Sequence, residues 1–298
     1  MKKVAAKILL FLGIVVVIDL FAGVALNRLE DECTGGDAGR IRYICTQDTS
    51  DVLIFGSSRA HYHYIPQVLS DTLNMSCFNC GQNGMGVVFF YGLLQLVCQS
   101  HTPKMVIMDI YPPYDLEIND NTQYISLLRP YYSHAGVDSI IWNVGKNEKL
   151  KMCSSLYRYN SRLTEMMHDY HSSPKLDNNG FQALGGHPNH LEKMAEKDSY
   201  KYDEMKLSYL RKLITFCKER EIKLFFVSSP RYGFESSRAF VPFYSLCKQY
   251  HMPFFDYYCK VGFADNLSLF ANQDHLNVEG AGIYSREIAH EIKSALYK

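Results

Sequence analysis

Hydrophobic and polar positions divide the chain into an apolar leader, a rhythmic region and an irregular centre. The leader runs from Ile8 to Leu26, is broken by Asp19 alone, and follows Lys2, Lys3 and Lys7. At about 1.5 Å per residue, a helix of this length crosses the roughly 30 Å hydrocarbon core of a bilayer. Lysines on the short leading side predict a cytoplasmic N-terminus and an extracytoplasmic position for everything after Leu26. The length of the run favours an uncleaved transmembrane anchor over residues 1–30. Gly23 and Ala25 also offer a small-residue cleavage site, the mark of a signal peptide. Asp19 is awkward within the run and predicts either a partner helix or a place near its outer end.

From residue 51 onward, short apolar runs alternate with segments of helical period. Asp51–Phe55, Cys77–Cys80, Met105–Ile110, Leu224–Val227 and Pro253–Asp256 read as strands. Between and after them lie helices over Val87–Cys98, around Leu207, Leu210, Ile214 and Cys217, over Ser237–Tyr250, and around Tyr284, Ile288, Ile292 and Leu296. This alternation predicts an α/β domain over residues 31–298, with a parallel sheet covered on both faces. Residues from about 115 to 200 break the rhythm with polar, Asn-, Gly- and Pro-rich sequence, which predicts an insertion between strands that supplies a lid or substrate-contacting loops.

Composition narrows the functional classes. Thirty-one Lys and Arg balance 31 Asp and Glu, so no net field draws the chain to nucleic acid. Nine cysteines are scattered without metal-ligand spacing, so no metal or cofactor is expected, and most read as small buried hydrophobes. Cys33 and Cys45 are close enough in sequence to bridge. Cys77 and Cys80 form a C-x-x-C, but on a strand rather than at an exposed helix start, which weakens a thiol-redox reading.

Three loops carry candidate chemistry. Gly56-Ser57-Ser58-Arg59 follows the first strand, at the carboxyl edge where open α/β sheets bind ligands. Asn79-Cys80-Gly81-Gln82-Asn83-Gly84 follows the second, with glycines that let backbone N–H groups approach a reacting carbonyl. Asp274-His275-Leu276-Asn277 precedes the last helix and supplies a candidate general base. Taken singly, each also reads as ordinary turn and helix-capping sequence.

Together the serine loop, the glycine loop and the late histidine resemble the SGNH hydrolases, the GDSL-like esterase superfamily, over roughly residues 51–110 and 222–298. The resemblance implies a flavodoxin-like three-layer α/β/α sandwich and chemistry on O-acyl esters. It carries the nucleophile onto Ser58, the base onto His275, and an oxyanion hole onto the N–H groups of Ser58 and Gly84. More narrowly, Leu156-Tyr157-Arg158-Tyr159-Asn160-Ser161 and the HLN-x-x-GA ending are similar to anchored bacterial-envelope members associated with polysaccharide O-acylation. Two positions depart from the pattern. Tyr111-Pro112-Pro113-Tyr114 replaces the family's Asn block, leaving Asn160 as a candidate substitute donor. Asn272 replaces the carboxylate three residues before His275, so the orienting group is Asp274, Asn272 or a backbone carbonyl.

The resulting expectation is acyl transfer through a Ser58 acyl-enzyme to water or to a sugar hydroxyl, with Arg59 and Asn83 as substrate contacts. Expected partners are a carbohydrate or acyl-ester substrate and a membrane-embedded acyl donor. The alternative class is a catalytically impaired binding or scaffold module in an envelope polysaccharide complex.

Overall fold

Five short apolar segments, Val52–Phe55 (β1), Cys77–Asn79 (β2), Met105–Asp109 (β3), Lys223–Ser228 (β4) and Phe254–Asp256 (β5), pair in parallel in the order β2-β1-β3-β4-β5. The computed structural model describes residues 1–160, 162–173, 176–193, 197–233 and 236–297. Every residue of β1 and β3 is buried, as an interior strand covered on both faces requires. Side chains alternate between the faces. Val52, Ile54, Met105, Ile107, Phe225 and Val227 pack with Leu69, Leu73, Tyr284, Ile288 and Ile292 from the helices Pro66–Leu73 and Val278–Leu296. On the opposite face, Phe55 stacks on Phe90 of the helix Val87–Val97, and Phe226 meets Phe243 of the helix Val241–Tyr250 edge to face. The result is the three-layer α/β/α arrangement with flavodoxin-like strand order.

The order places a switch point between β1 and β3, where successive crossovers leave in opposite directions and a crevice opens beyond the strand ends. The loops after β1 and β2, and the turn before the last helix, carry the candidate residues. One expected helix is shorter than its apolar pattern: residues 238–240 form a 3-10 turn, and the α-helix begins at Val241 with Pro242 in its first turn.

The chain forms two units, Ile44–Asp120 with Leu176–Lys298, which holds the sheet, and Met1–Tyr43 with Asn121–Lys175. The irregular centre is thus divided between the units. In the second, a continuous helix over Lys2–Glu32 is long and apolar enough to cross a membrane. Its C-terminal half joins a small core of Leu26, Cys33, Ala38, Tyr159 and Met166. Residue 30 is therefore no structural boundary.

Among the described residues the cysteines form no disulfide. Cys33 donates to the carbonyls of Gly35 and Met166 rather than bridging to Cys45. Burial pushes Cys77 up to about 11, so it stays a protonated thiol at neutral pH.

Candidate active site

The first loop turns sharply because Gly56 has φ +144, a conformation suited to glycine. A Cβ there would lie 2.8 Å from the Cβ atoms of Ala60 and Asp109. Ser57 then caps the helix Ser58–His63, its hydroxyl accepting the N–H of Arg59 at 3.4 Å. Ser57 is buried, whereas Ser58, one residue on, is partly exposed in the first helical turn. Backbone N–H groups in a first turn have no partner within their own helix.

His275 reaches this serine from 217 residues away. Its Nε2 lies 2.8 Å from Ser58 Oγ, and its Nδ1 lies 2.9 Å from Asn272 Oδ1. The same Asn272 oxygen accepts the backbone N–H groups of Asp274 and His275, both at 3.1 Å. An atom that accepts two N–H groups is the carbonyl oxygen of the amide, so Nδ1 must carry the imidazole proton. Nε2 is then free to accept the hydroxyl proton of Ser58. Asn272 thus takes the orienting position, and Asp274 does not. The Asp274 carboxylate turns away to Arg231 at 2.5 Å and accepts the phenol of Tyr111 at 3.4 Å.

Burial, reinforced by the Arg59 guanidinium, lowers His275 to about 4 against the weaker opposing pull of Asp274. The imidazole is therefore neutral at pH 7, the form a general base needs. Asn272 fixes its tautomer but supplies no charge to stabilise an imidazolium.

Arg59 turns inward. Its side chain is 1% exposed, near Asp109 at 3.9 Å and between the rings of Tyr111 and Tyr258. It donates to the carbonyls of Ser229, Pro230 and Asp274. The expected substrate contact is instead a buried clamp joining the serine helix to two other loops. Asn83, also expected at the substrate, donates its amide to the Tyr62 hydroxyl at 2.9 Å, and the Tyr62 ring stands edge-on to His275.

The glycine loop is fastened to the serine helix. Asn79 donates to the carbonyls of Ala60 and Tyr64 and accepts the N–H of Gly81. A Cβ on Gly81 would lie 2.4 Å from the backbone nitrogen of His61. The Gln82 N–H donates to the carbonyl of Gly56, which holds the loop alongside the Gly56–Ser57–Ser58 turn. Gly84 has φ +72 and open space around it, and among the described residues its N–H has no hydrogen-bond partner. Asn160 belongs to the other unit, where it is exposed at the end of the helix Ser155–Tyr159. Ser161, which ends the same motif, lies outside the described residues.

Several contributors carried no signal of their own in the sequence. His63 is fully buried, with Nε2 accepting the N–H of Leu276 at 3.0 Å and Nδ1 facing Ser229 Oγ at 2.9 Å. Asp109 accepts from Tyr64 and from the N–H of Ser229. The HLN-x-x-GA ending has a packing basis as well: Asn277 caps the last helix through the N–H of Gly280, where a Cβ would meet the Leu269 carbonyl at 2.2 Å.

No family model matches the sequence, and no curated protein matches it. Among solved structures, 86% of the chain is similar to 96% of a "putative acylhydrolase" from Bacteroides fragilis, with 12% identity and a TM-score of 0.41.

Proposed function

We propose that the chain is a membrane-anchored serine acyl-transfer enzyme of the SGNH type, acting on an ester of an extracytoplasmic glycan. The observation that carries this reading is the 2.8 Å contact between Ser58 Oγ and the unprotonated Nε2 of His275. A hydroxyl is a weak nucleophile until an adjacent base takes its proton, and a base held in one tautomer by a third group is the recurring solution.

In the proposed reaction, Oγ of Ser58 attacks the ester carbonyl while Nε2 takes the hydroxyl proton. Negative charge gathers on the former carbonyl oxygen, which the N–H groups of Ser58 and Gly84 receive. The bond to the leaving alcohol then breaks, and His275 returns the proton to the departing oxygen. Water or a sugar hydroxyl next attacks the acyl-enzyme by the same steps in reverse. The long apolar run ahead of this domain, with Asp19 as its one charge, supports anchoring, and the leading lysines support an extracytoplasmic site. The insertion and the anchor both suit a membrane-embedded acyl-donor partner.

A second reading is a catalytically impaired module that binds envelope glycan. Tyr111 and Asn272 favour it: the phenol of Tyr111 is engaged with Asp274, and an amide stands where a carboxylate would stabilise the imidazolium.

Incubation with a fluorophosphonate probe and with p-nitrophenyl acetate separates the two. Labelling and turnover lost in both Ser58→Ala and His275→Ala support the enzyme. No labelling of the folded wild-type chain overturns it in favour of the binding module.

A further inference from the structure

The helix Lys2–Glu32 and the segment 154–169 run side by side in the same direction. Asp19 accepts from Ser154 Oγ at 2.7 Å and from the N–H groups of Ser155 and Leu156 at 2.8 and 3.0 Å. At Gly23 a Cβ would lie 2.4 Å from Ser155 Oγ. Further along, Asn27 accepts the phenol of Tyr159, Glu30 faces Arg162, and Cys33 donates to the carbonyl of Met166. From Gly23 onward, each step toward the end of the helix is matched by a similar step in the segment.

This register fixes a depth. Asp19 lies seven residues before Leu26, roughly 10 Å short of the end of the apolar run. Ser154, Ser155 and Leu156 share its level. A carboxylate inside an apolar span needs partners. The first-turn N–H groups of a short helix equally need an acceptor where no water can serve. Asp19 and the helix Ser155–Tyr159 meet both needs at once.

What surrounds this contact is mostly apolar, with Lys151 as the one cation among the described residues of the groove lining. Leu150 is 75% exposed and Leu156 47% exposed. A groove of about 450 Å³ beside them is lined by Val15, Val16, Leu20, Leu150, Cys153 and Tyr157, together with Asp19, Ser154 and Lys151, whose ammonium pairs with Glu148. Aromatic and cationic side chains gather nearby. Lys149 lies over the Trp142 ring, the Trp142 indole donates to Tyr132, and Arg158 lies over Tyr132. Tryptophan and tyrosine with flanking cations favour the headgroup level of a bilayer.

We infer that residues 150–157 enter the bilayer beside the anchor, on the Leu26 side, and that the partner of this surface is lipid. Acyl chains fill the apolar part of the groove, the long stem of Lys151 carries its ammonium up to the headgroups, and Tyr132, Trp142, Lys149 and Arg158 stand at that level. The inference rests on the anchor reading and extends it. Removal of the leader after Ala25 would take away Asp19 and leave the N–H groups of Ser155 and Leu156 without their acceptor, so the helix is retained in the mature chain.

The native Cys153 is exposed and lines the groove, which makes it a reporter. In a full-length chain carrying Cys98→Ser and Cys259→Ser, Cys153 would be labelled with an environment-sensitive NBD fluorophore. The chain would then be reconstituted in phosphatidylcholine vesicles. Leu150→Cys in a Cys153→Ser background gives a second position, and His168→Cys in the same background gives a reference beyond the apolar run. The expected result is blue-shifted emission at 153 and 150, quenched by nitroxide-bearing acyl chains, with water-like emission at 168. A chain retained on vesicles after carbonate washing but with water-like emission at 153 and 150 overturns the immersion alone. A chain that carbonate releases, or a mature chain whose intact mass lacks residues 1–25, overturns the anchor and this inference with it.

Discussion

The side-chain oxygen of Asn272 lies 2.9 Å from Nδ1 of His275 and also accepts the backbone N–H groups of Asp274 and His275. The amide performs the steric half of a carboxylate's work, holding ring and tautomer, without the electrostatic half. A base near 4 remains deprotonated across a wide acid range. The kcat/KM profile should therefore stay flat from neutral pH down to about 5 and fall through a midpoint near 4, rather than near the ordinary histidine value. In Asn272→Asp, a charge beside Nδ1 favours the imidazolium, so the acid limb should move upward. Turnover at pH 8 should rise at least about tenfold, since loss of such a carboxylate from serine proteases costs as much as ~10⁴. An acid limb near 6.5 in wild type, unmoved by the substitution, would refute this account.

Arg59 follows Ser58 in sequence, yet its guanidinium is buried against Asp109 and three backbone carbonyls. Removing one member of a buried charge pair leaves the other uncompensated. Arg59→Ala should therefore lower unfolding free energy by about 3–5 kcal/mol. Denaturant unfolding of the full chain measures this. A variant of native stability with only a raised KM would return Arg59 to the substrate.

What was legible in the sequence followed from local pattern. The five strands announced themselves as short apolar runs bounded by turn residues, and their alternation with helices pointed to a parallel sheet, while the strand order was implied only by the family resemblance. Ser58 and His275 were singled out by the family resemblance, since each loop taken singly also reads as turn or capping sequence, and the structure brings the two within 2.8 Å. The choice between Asn272 and Asp274 was not legible, because it depends on how one loop turns back on itself. Nor was the burial of Arg59, since the carbonyls that satisfy it come from residues 229, 230 and 274. The match between residues 19–33 and 154–166 was hidden for a similar reason. Its contacts span more than 130 positions and repeat no local period.

Two glycines of one loop should respond differently to alanine. At Gly81 the new methyl would overlap the His61 backbone at 2.4 Å, and neither side is a flexible side chain. Gly81→Ala should cost about 1–3 kcal/mol as overpacking, and should lose activity because the serine helix is displaced. Gly84 has open space but φ +72, so Gly84→Ala pays only the left-handed cost of roughly 1–2 kcal/mol and keeps its N–H. It should retain activity within about tenfold if the backbone holds. Thermal melts and ester turnover of the two variants provide the comparison, and equal losses in both would contradict the distinction.

His63 acts on the base through one backbone bond. Its buried ring accepts the Leu276 N–H at 3.0 Å while facing Ser229, and burial keeps its pKa well below the ordinary histidine value. As a neutral positioning residue it holds the peptide that follows His275. His63→Phe fills the space but leaves the Leu276 N–H without an acceptor, at a cost of about 1–3 kcal/mol. Turnover should fall through kcat with little change in KM, because the substitution loosens His275 against Ser58 and leaves the N–H groups of Ser58 and Gly84 in place. The acid limb of the surviving activity should remain near 4, since the burial and Arg59 that depress His275 persist. His63→Gln, which retains an acceptor of similar reach, should recover part of kcat. A purely structural role would instead lower the active fraction and leave kcat per folded molecule unchanged, which active-site titration with the fluorophosphonate distinguishes.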